Sequence, residues 1–114
     1  YPDMSVEVKI GDRYKPDVVA QDSSGQSVFW GEAGKVGVEK IRSIARRYRH
    51  THFAIAMWQM NLAPFVPIIQ KAVDGTNRLA AFDLLCFPSD SAERFIDARG
   101  QIQLSLADVE WKRF

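Results

Sequence analysis

The sequence predicts an α/β domain with a mixed β-sheet and helices on both of its faces. Three observations carry this. The first third of the chain alternates apolar and polar residues, the period becomes helical at Val38, and two apolar runs then alternate with further helical stretches. A meander followed by alternating helix and strand implies a sheet that is antiparallel at its start and parallel further on.

Residues 5–10 set Val6, Val8 and Ile10 on one face and Glu7 and Lys9 on the other, a half-exposed strand ended by Gly11-Asp12. A second strand covers 14–21, Asp22-Ser-Ser-Gly-Gln is turn chemistry, and a third strand covers 27–33. Gly34 and Gly37 interrupt the β pattern, and Val38, Ile41, Ile44, Ala45 and Tyr48 then form one helical stripe. The continuous apolar run 53–58 reads as a strand buried on both faces. A second helix falls within 63–73, where Pro64 suits a first turn. Residues 78–87 form another apolar strand, Ser91 caps a short helix over 91–99 stopped by Gly100, and 101–106 alternates as a final edge strand.

At 114 residues the chain reads as a single domain, 1–114, large enough for a core without disulfides. Its one cysteine, Cys86, lies in an apolar run and reads as a buried hydrophobe, which fits a reducing cytoplasm. No apolar run reaches the ~20 residues of a membrane span. The net charge of +1 argues for no partner class, but residues 35–52 carry six Lys or Arg (Lys35, Lys40, Arg42, Arg46, Arg47, Arg49) against Glu39. Such a stripe attracts phosphates, and it serves equally as a solvated helix face.

The chemistry-bearing residues lie on the second and third strands. Pro16-Asp17 precedes the turn, and Trp30-Gly-Glu32-Ala-Gly-Lys35 follows it. If the hairpin closes evenly on Ser24-Gly25, residues whose numbers add to 49 face each other, and Asp17 stands opposite Glu32. Their Cβ atoms would then be about 5 Å apart. Two carboxylates so placed repel unless a cation or an ammonium lies between them. Pro2-Asp3 with Glu7-Val8-Lys9 spells a similar motif, but three intervening residues leave no room for a hairpin, so it reads as coincidence. Glu7 can contribute from the first strand, or remain an exposed strand charge.

Pro-Asp, a turn, then Glu with a nearby Lys resembles the PD-(D/E)XK nuclease superfamily, and the order of elements resembles it too. The aromatic residue before Glu-x-Gly, here Trp30-Gly-Glu32-Ala-Gly34, is similar to the YaeQ-like family, over roughly residues 10–106. The resemblance implies a restriction-endonuclease-like fold and a metal-dependent nuclease acting on nucleic acid, DNA foremost. Mg²⁺ (or Mn²⁺) would be held by Asp17, Glu32 and the main-chain carbonyl of Ala33. Lys35 would serve the attacking water, and Lys40, Arg42, Arg46 and Arg49 would meet phosphates. The alternative is an inactive nuclease-fold protein that binds nucleic acid or a protein partner. Positions i and i+3 of a regular strand face opposite ways, so Lys35 needs a bulge at Ala33-Gly34, and Lys40 is the fallback ammonium. The superfamily's leading helix has no counterpart in the chain, which begins at Tyr1.

The remaining candidates read structurally. His50 and His52 follow the helix and suit its C-terminal dipole. Trp30, Phe53 and Trp58 read as core.

Overall fold

A computed structural model describes residues 1, 3–58 and 61–114 of the chain. It is an α/β protein with a six-stranded mixed sheet and three helices. The strands are β1 (Ser5–Val6), β2 (Val18–Gln21), β3 (Ser27–Ala33), β4 (His52–Trp58), β5 (Phe82–Phe87) and β6 (Glu110–Arg113), and they lie side by side in chain order. β1, β2 and β3 pair antiparallel, β3, β4 and β5 pair parallel, and β6 returns antiparallel to β5. Helices α1 (Val38–Arg47) and α2 (Val66–Val73) make the two parallel crossovers, and α3 (Ser91–Phe95) follows β5.

Parallel crossovers are right-handed, so two successive steps in one direction leave both helices on the same side of the sheet. The core accordingly fills that side alone. Trp30, Phe53, Ile55, Met57, Phe82 and Leu84 from the strands pack against Ile41 and Ile44 of α1 and Ile69 and Ala72 of α2. Each of the larger aliphatic and aromatic side chains among them contributes about 1.5–3 kcal/mol on burial. Helices do lie on both faces, as expected, but unequally: α1 and α2 cover one, and only the five-residue α3 stands at the margin of the other. On the other face, Val18, Phe29, Gly31, Ala54, Ala56, Leu85 and Phe87 line an open apolar cleft. Among the described residues that face is covered only in part: Met4 lines the cleft, the Tyr1 ring lies 4.8 Å from that of Phe29, and the short α3 with the segment after it stands at the rim formed by Trp58 and Phe87. For the same reason β4 is buried on one face and only half-covered on the other, and Trp58 is 54% exposed rather than core.

Several boundaries move. β1 is two residues long because Glu7 takes a positive φ of 58°; Val6 and Val8 are exposed, and of the alternating face of 5–10 Ile10 packs against the core. Residues 11–15 turn around Asp12, whose Oδ1 accepts the Tyr14 N–H at 3.0 Å, and β2 starts only at Val18. Pro67, not Pro64, stands in the first turn of α2. α3 ends at Phe95, and residues 101–106 contribute one bridge, Ile96 with Ile102, instead of a strand. The edge strand lies later, at β6. Cys86 is buried, and no described helix is long and apolar enough to cross a membrane.

One cation joins α1 to the sheet. The Arg78 guanidinium donates through Nη1 to the carbonyls of Ala45 and Tyr48, both at 3.0 Å, and through Nη2 to the Thr51 carbonyl. It thus closes the C-terminus of α1 and holds the chain leading into β4. Arg78→Ala leaves these carbonyls without their donor, and should cost about 2–4 kcal/mol. The measurement is the urea midpoint at unchanged slope. Arg78→Lys should recover little, because a single ammonium cannot span the fork; full recovery by lysine would refute the bridging role.

Candidate carboxylate site at the end of the third strand

The site depends on how β2 and β3 are joined. The turn is a three-residue loop, Ser23-Ser24-Gly25: the Asp22 N–H donates to the Gln26 carbonyl at 2.9 Å, and the Gly25 N–H donates to the Asp22 carbonyl at 3.0 Å. Gly25 has φ +84°, the left-handed residue such loops require. The Asp22 side chain organises the loop, accepting from the main-chain N–H groups of Ser24 and Gln26 and from the Ser24 hydroxyl. The expected even closure on Ser24-Gly25 is thus corrected. By itself an odd loop would move Glu32 to the wrong face. However, the ladder pairs Gln21 with Ser27 and Ala20 with Phe29, so Val28 is an extra residue in β3. Beyond that bulge Val19 faces Trp30 and Val18 faces Gly31, and the next pair in sequence is Asp17 with Glu32.

The two carboxyls come together. Asp17 Oδ2 accepts the Ala33 N–H at 2.8 Å, and the Asp17 carboxyl lies within hydrogen-bonding reach of Glu32. Glu32 is buried at 6% exposure on the helix side of the sheet, and Asp17 is half-buried. Two donors converge on one oxygen of Glu32. The Trp30 indole Nε1–H reaches Oε1 at 2.9 Å, and the Lys40 Nζ lies 2.9 Å from the same atom. Burial pushes the Glu32 carboxyl above its ordinary pKa. Trp30 and Lys40 pull it down, and the neighbouring Asp17 pushes it up again.

The ammonium at the pair is Lys40, from the first turn of α1, with its Nζ 5.3 Å from the Tyr14 ring centroid. Lys35 is elsewhere. β3 ends at Ala33, Gly34 turns the chain with φ +89°, and no bulge returns Lys35 to the carboxylates. It is exposed, at the rim of an apolar cleft lined by Val36, Ile55, Phe65 and Ile69. The basic stripe is also divided. Arg42 donates through Nη2 to the Lys71 carbonyl between the two helices at 2.9 Å, and Arg49 donates to the Asn77 carbonyl at 2.9 Å. Arg46 is exposed on the outer side of α1. Glu7 pairs with Lys15 at the surface at 3.0 Å, and Pro2, the proline of the coincidental motif, lies outside the described residues.

Among the described residues no group of three or more His, Cys, Asp or Glu is poised to hold a metal. Two neighbouring carboxylates offer the oxygen donors that suit an ion such as Mg²⁺, which binds through one or two carboxylates and keeps several waters. They do not suit structural zinc, which takes four protein ligands rich in Cys and His. The donor chemistry therefore fits Mg²⁺.

Sequence reasoning placed Trp30 in the core, which it occupies, but not on Glu32. The period-two rule held that signal, since Trp30 and Glu32 share a strand face. Two other acids have Arg partners. Asp12 takes a two-pronged contact from Arg47 and the Tyr48 hydroxyl at 2.7 Å. Asp83 takes both Nε and Nη2 of Arg113, and His52 Nε2 at 2.7 Å. His52 thus belongs to β4 and Asp83, not to the end of α1 as expected. Comparison with protein-family models, curated proteins and solved structures returns no match for this chain.

The acids make opposite predictions for stability. The Arg47 guanidinium holds Asp12 well below the usual carboxylate range. Its contribution is full above the unfolded pKa of about 3.9 and is lost as pH falls toward the folded value. Asp12→Asn should cost about 1–3 kcal/mol at pH 7. Glu32 has the raised value, so its charge costs stability at neutral pH and protonation relieves that cost as pH falls through the folded pKa. Glu32→Gln should leave the melting temperature unchanged or raise it. A large fall in the melting temperature at pH 7 would make Glu32 a structural clamp instead.

Proposed function

We propose that this chain is a metal-dependent phosphodiesterase of restriction-endonuclease-like fold, related to the PD-(D/E)XK nucleases, that acts on nucleic acid, with DNA the foremost substrate. One observation carries the reading: the Asp17 and Glu32 carboxyls meet at the C-terminal end of a parallel strand, with the Lys40 ammonium already on Glu32. Carboxyl ends of parallel strands are where open α/β sheets bind ligands.

Asp17, Glu32 and the Ala33 carbonyl are the ligands for Mg²⁺ or Mn²⁺. The ion, when bound, lowers the pKa of a water and offsets charge on the attacked phosphate. Asp17 holds the end of β3 in place through the Ala33 N–H. Lys40 takes the role first assigned to Lys35: its N–H groups orient the attacking water and stabilise negative charge on the phosphoryl oxygens. The water oxygen forms the new bond to phosphorus and gives up its proton to solvent, the bond to the leaving sugar oxygen breaks, and that oxygen takes a proton from solvent. With Arg42 and Arg49 engaged on main-chain carbonyls, Lys35 and Arg46 are the cations left to meet flanking phosphates.

A second reading rests on the same ion pair. Lys40 neutralises Glu32 without any metal, as in a nuclease-fold protein that binds nucleic acid or a partner and cleaves nothing. Cleavage of single- and double-stranded DNA and RNA, with Mg²⁺, with Mn²⁺ and with chelator, separates the two. Asp17→Asn and Lys40→Met should each lower the rate roughly 100- to 1,000-fold, while Lys35→Met should chiefly weaken substrate binding. Binding that is indifferent to the ion, with no cleavage of any substrate, would establish the second reading.

A further inference from the structure

We infer that Trp30 is a positioning residue for the metal site: its indole N–H, bonded to Oε1, holds the Glu32 carboxylate in one orientation beside Asp17. The inference deepens the proposed function and rests on it. Trp30 is fully buried, at 0% exposure, among Ile41, Ile44 and Phe53, and its ring lies 5.3 Å from that of Tyr48 and 6.0 Å from that of Phe53. A ring packed on so many sides cannot swing, so the direction of its N–H is set by the core and not by the site.

That N–H and the Lys40 ammonium both end on Oε1, each at 2.9 Å. The two donors differ in what holds them. Lys40 has a flexible stem and is partly exposed, so it can leave the carboxylate when another cation arrives. Trp30 cannot leave. The indole is therefore the contact that keeps the carboxylate plane in one orientation while ammonium and ion exchange places. Groups that orient a metal-binding carboxylate through a hydrogen bond commonly change affinity 10- to 100-fold when removed.

The test is nuclear magnetic resonance of the whole chain, with Mg²⁺ alone as the probe. The indole ¹H–¹⁵N signal of Trp30, identified by its loss in Trp30→Phe, should move in Glu32→Gln and stay near its place in Lys40→Met. In the wild type it should shift on Mg²⁺ titration together with the Ala33 amide, and neither should respond in Asp17→Asn. Mg²⁺ affinity of Trp30→Phe, followed at the Ala33 amide, should fall about tenfold or more. If Trp30→Phe fails to fold, the Trp30 indole signal is identified by eliminating those of the exposed Trp58 and Trp111 with Trp58→Phe and Trp111→Phe, and its response in the wild type and in Glu32→Gln decides alone. An indole signal that ignores Glu32→Gln, or a Trp30→Phe protein that binds Mg²⁺ as well as the wild type, overturns the positioning role and leaves the proposed function standing. A wild type whose Ala33 amide and indole both ignore Mg²⁺, while the indole still reports Glu32→Gln, overturns the metal reading and the inference with it.

Discussion

Everything at the candidate site follows from the register of β2 against β3. Side chains alternate along a strand, so one residue of slip would send Glu32 to the open face and bring Gly31 and Ala33 into the core. Two local features set the register, and each alone would spoil it. The Asp22 turn closes with three residues, and Val28 adds one residue to β3. Together they restore the pairing of Val19 with Trp30, and with it the meeting of Asp17 and Glu32. Trp30 and Glu32 sit two apart on the same face, so the same register that buries the largest core side chain also buries the acid. A protein cannot lose this site by slippage without losing its core, which is a reason for the pair to be well fixed.

Burying an acid needs compensation, and the sheet supplies it unevenly. Both crossover helices lie on one side, so that side is dry and the other is half-open. Glu32 points to the dry side, where desolvation acts against its charge. α1 reduces that cost by carrying Lys40 at its start, one turn after the chain leaves the end of β3. The connection from β3 to α1 is short, and Gly34 makes its first bend. That bend moves Lys35 out of the strand, which is why the nearer lysine in sequence is not the nearer one in space.

What was legible in the sequence follows from the range of each signal. Strand and helix type came from periodicity, a local property; β3, α1 and β4 lie where the pattern put them, and β5 begins at Phe82, four residues later than expected. The pairing of Asp17 with Glu32 was legible because a hairpin register is nearly local; it survived a wrong loop length only because Val28 offset the error. Three things were not legible. Whether β4 is covered on both faces depends on the side each crossover takes, and its apolar run is the same either way. The Arg stripe of α1 has one period, but Arg42, Arg47 and Arg49 find partners on α2, the Asp12 turn and the Asn77 loop, none of which α1 encodes. β6 was missed because Glu110-Trp-Lys-Arg113 is exposed throughout, so no buried face marks it as a strand.

The three acids with buried carboxyls, Asp12, Glu32 and Asp83, show which one is not there for stability. Asp12 and Asp83 each receive a two-pronged arginine and a third partner, Tyr48 or His52, and each is held below its ordinary pKa despite burial. These are acids satisfied on both oxygens, and their role is to join elements: the Asp12 turn to α1, and β5 to β4 and β6. Glu32 is at least as buried, yet it has a lysine and an indole crowded on one oxygen and a second carboxyl as its other neighbour, and its pKa is raised. A fold that can supply arginine forks to two acids has left a third short of donors and beside a like charge. Nothing in the packing requires that arrangement, since a neutral residue of the same shape would fill the space without the charge. A bound cation would supply what the protein withholds, and that asymmetry among three acids, more than any motif, is the physical reason to look for chemistry at Asp17 and Glu32.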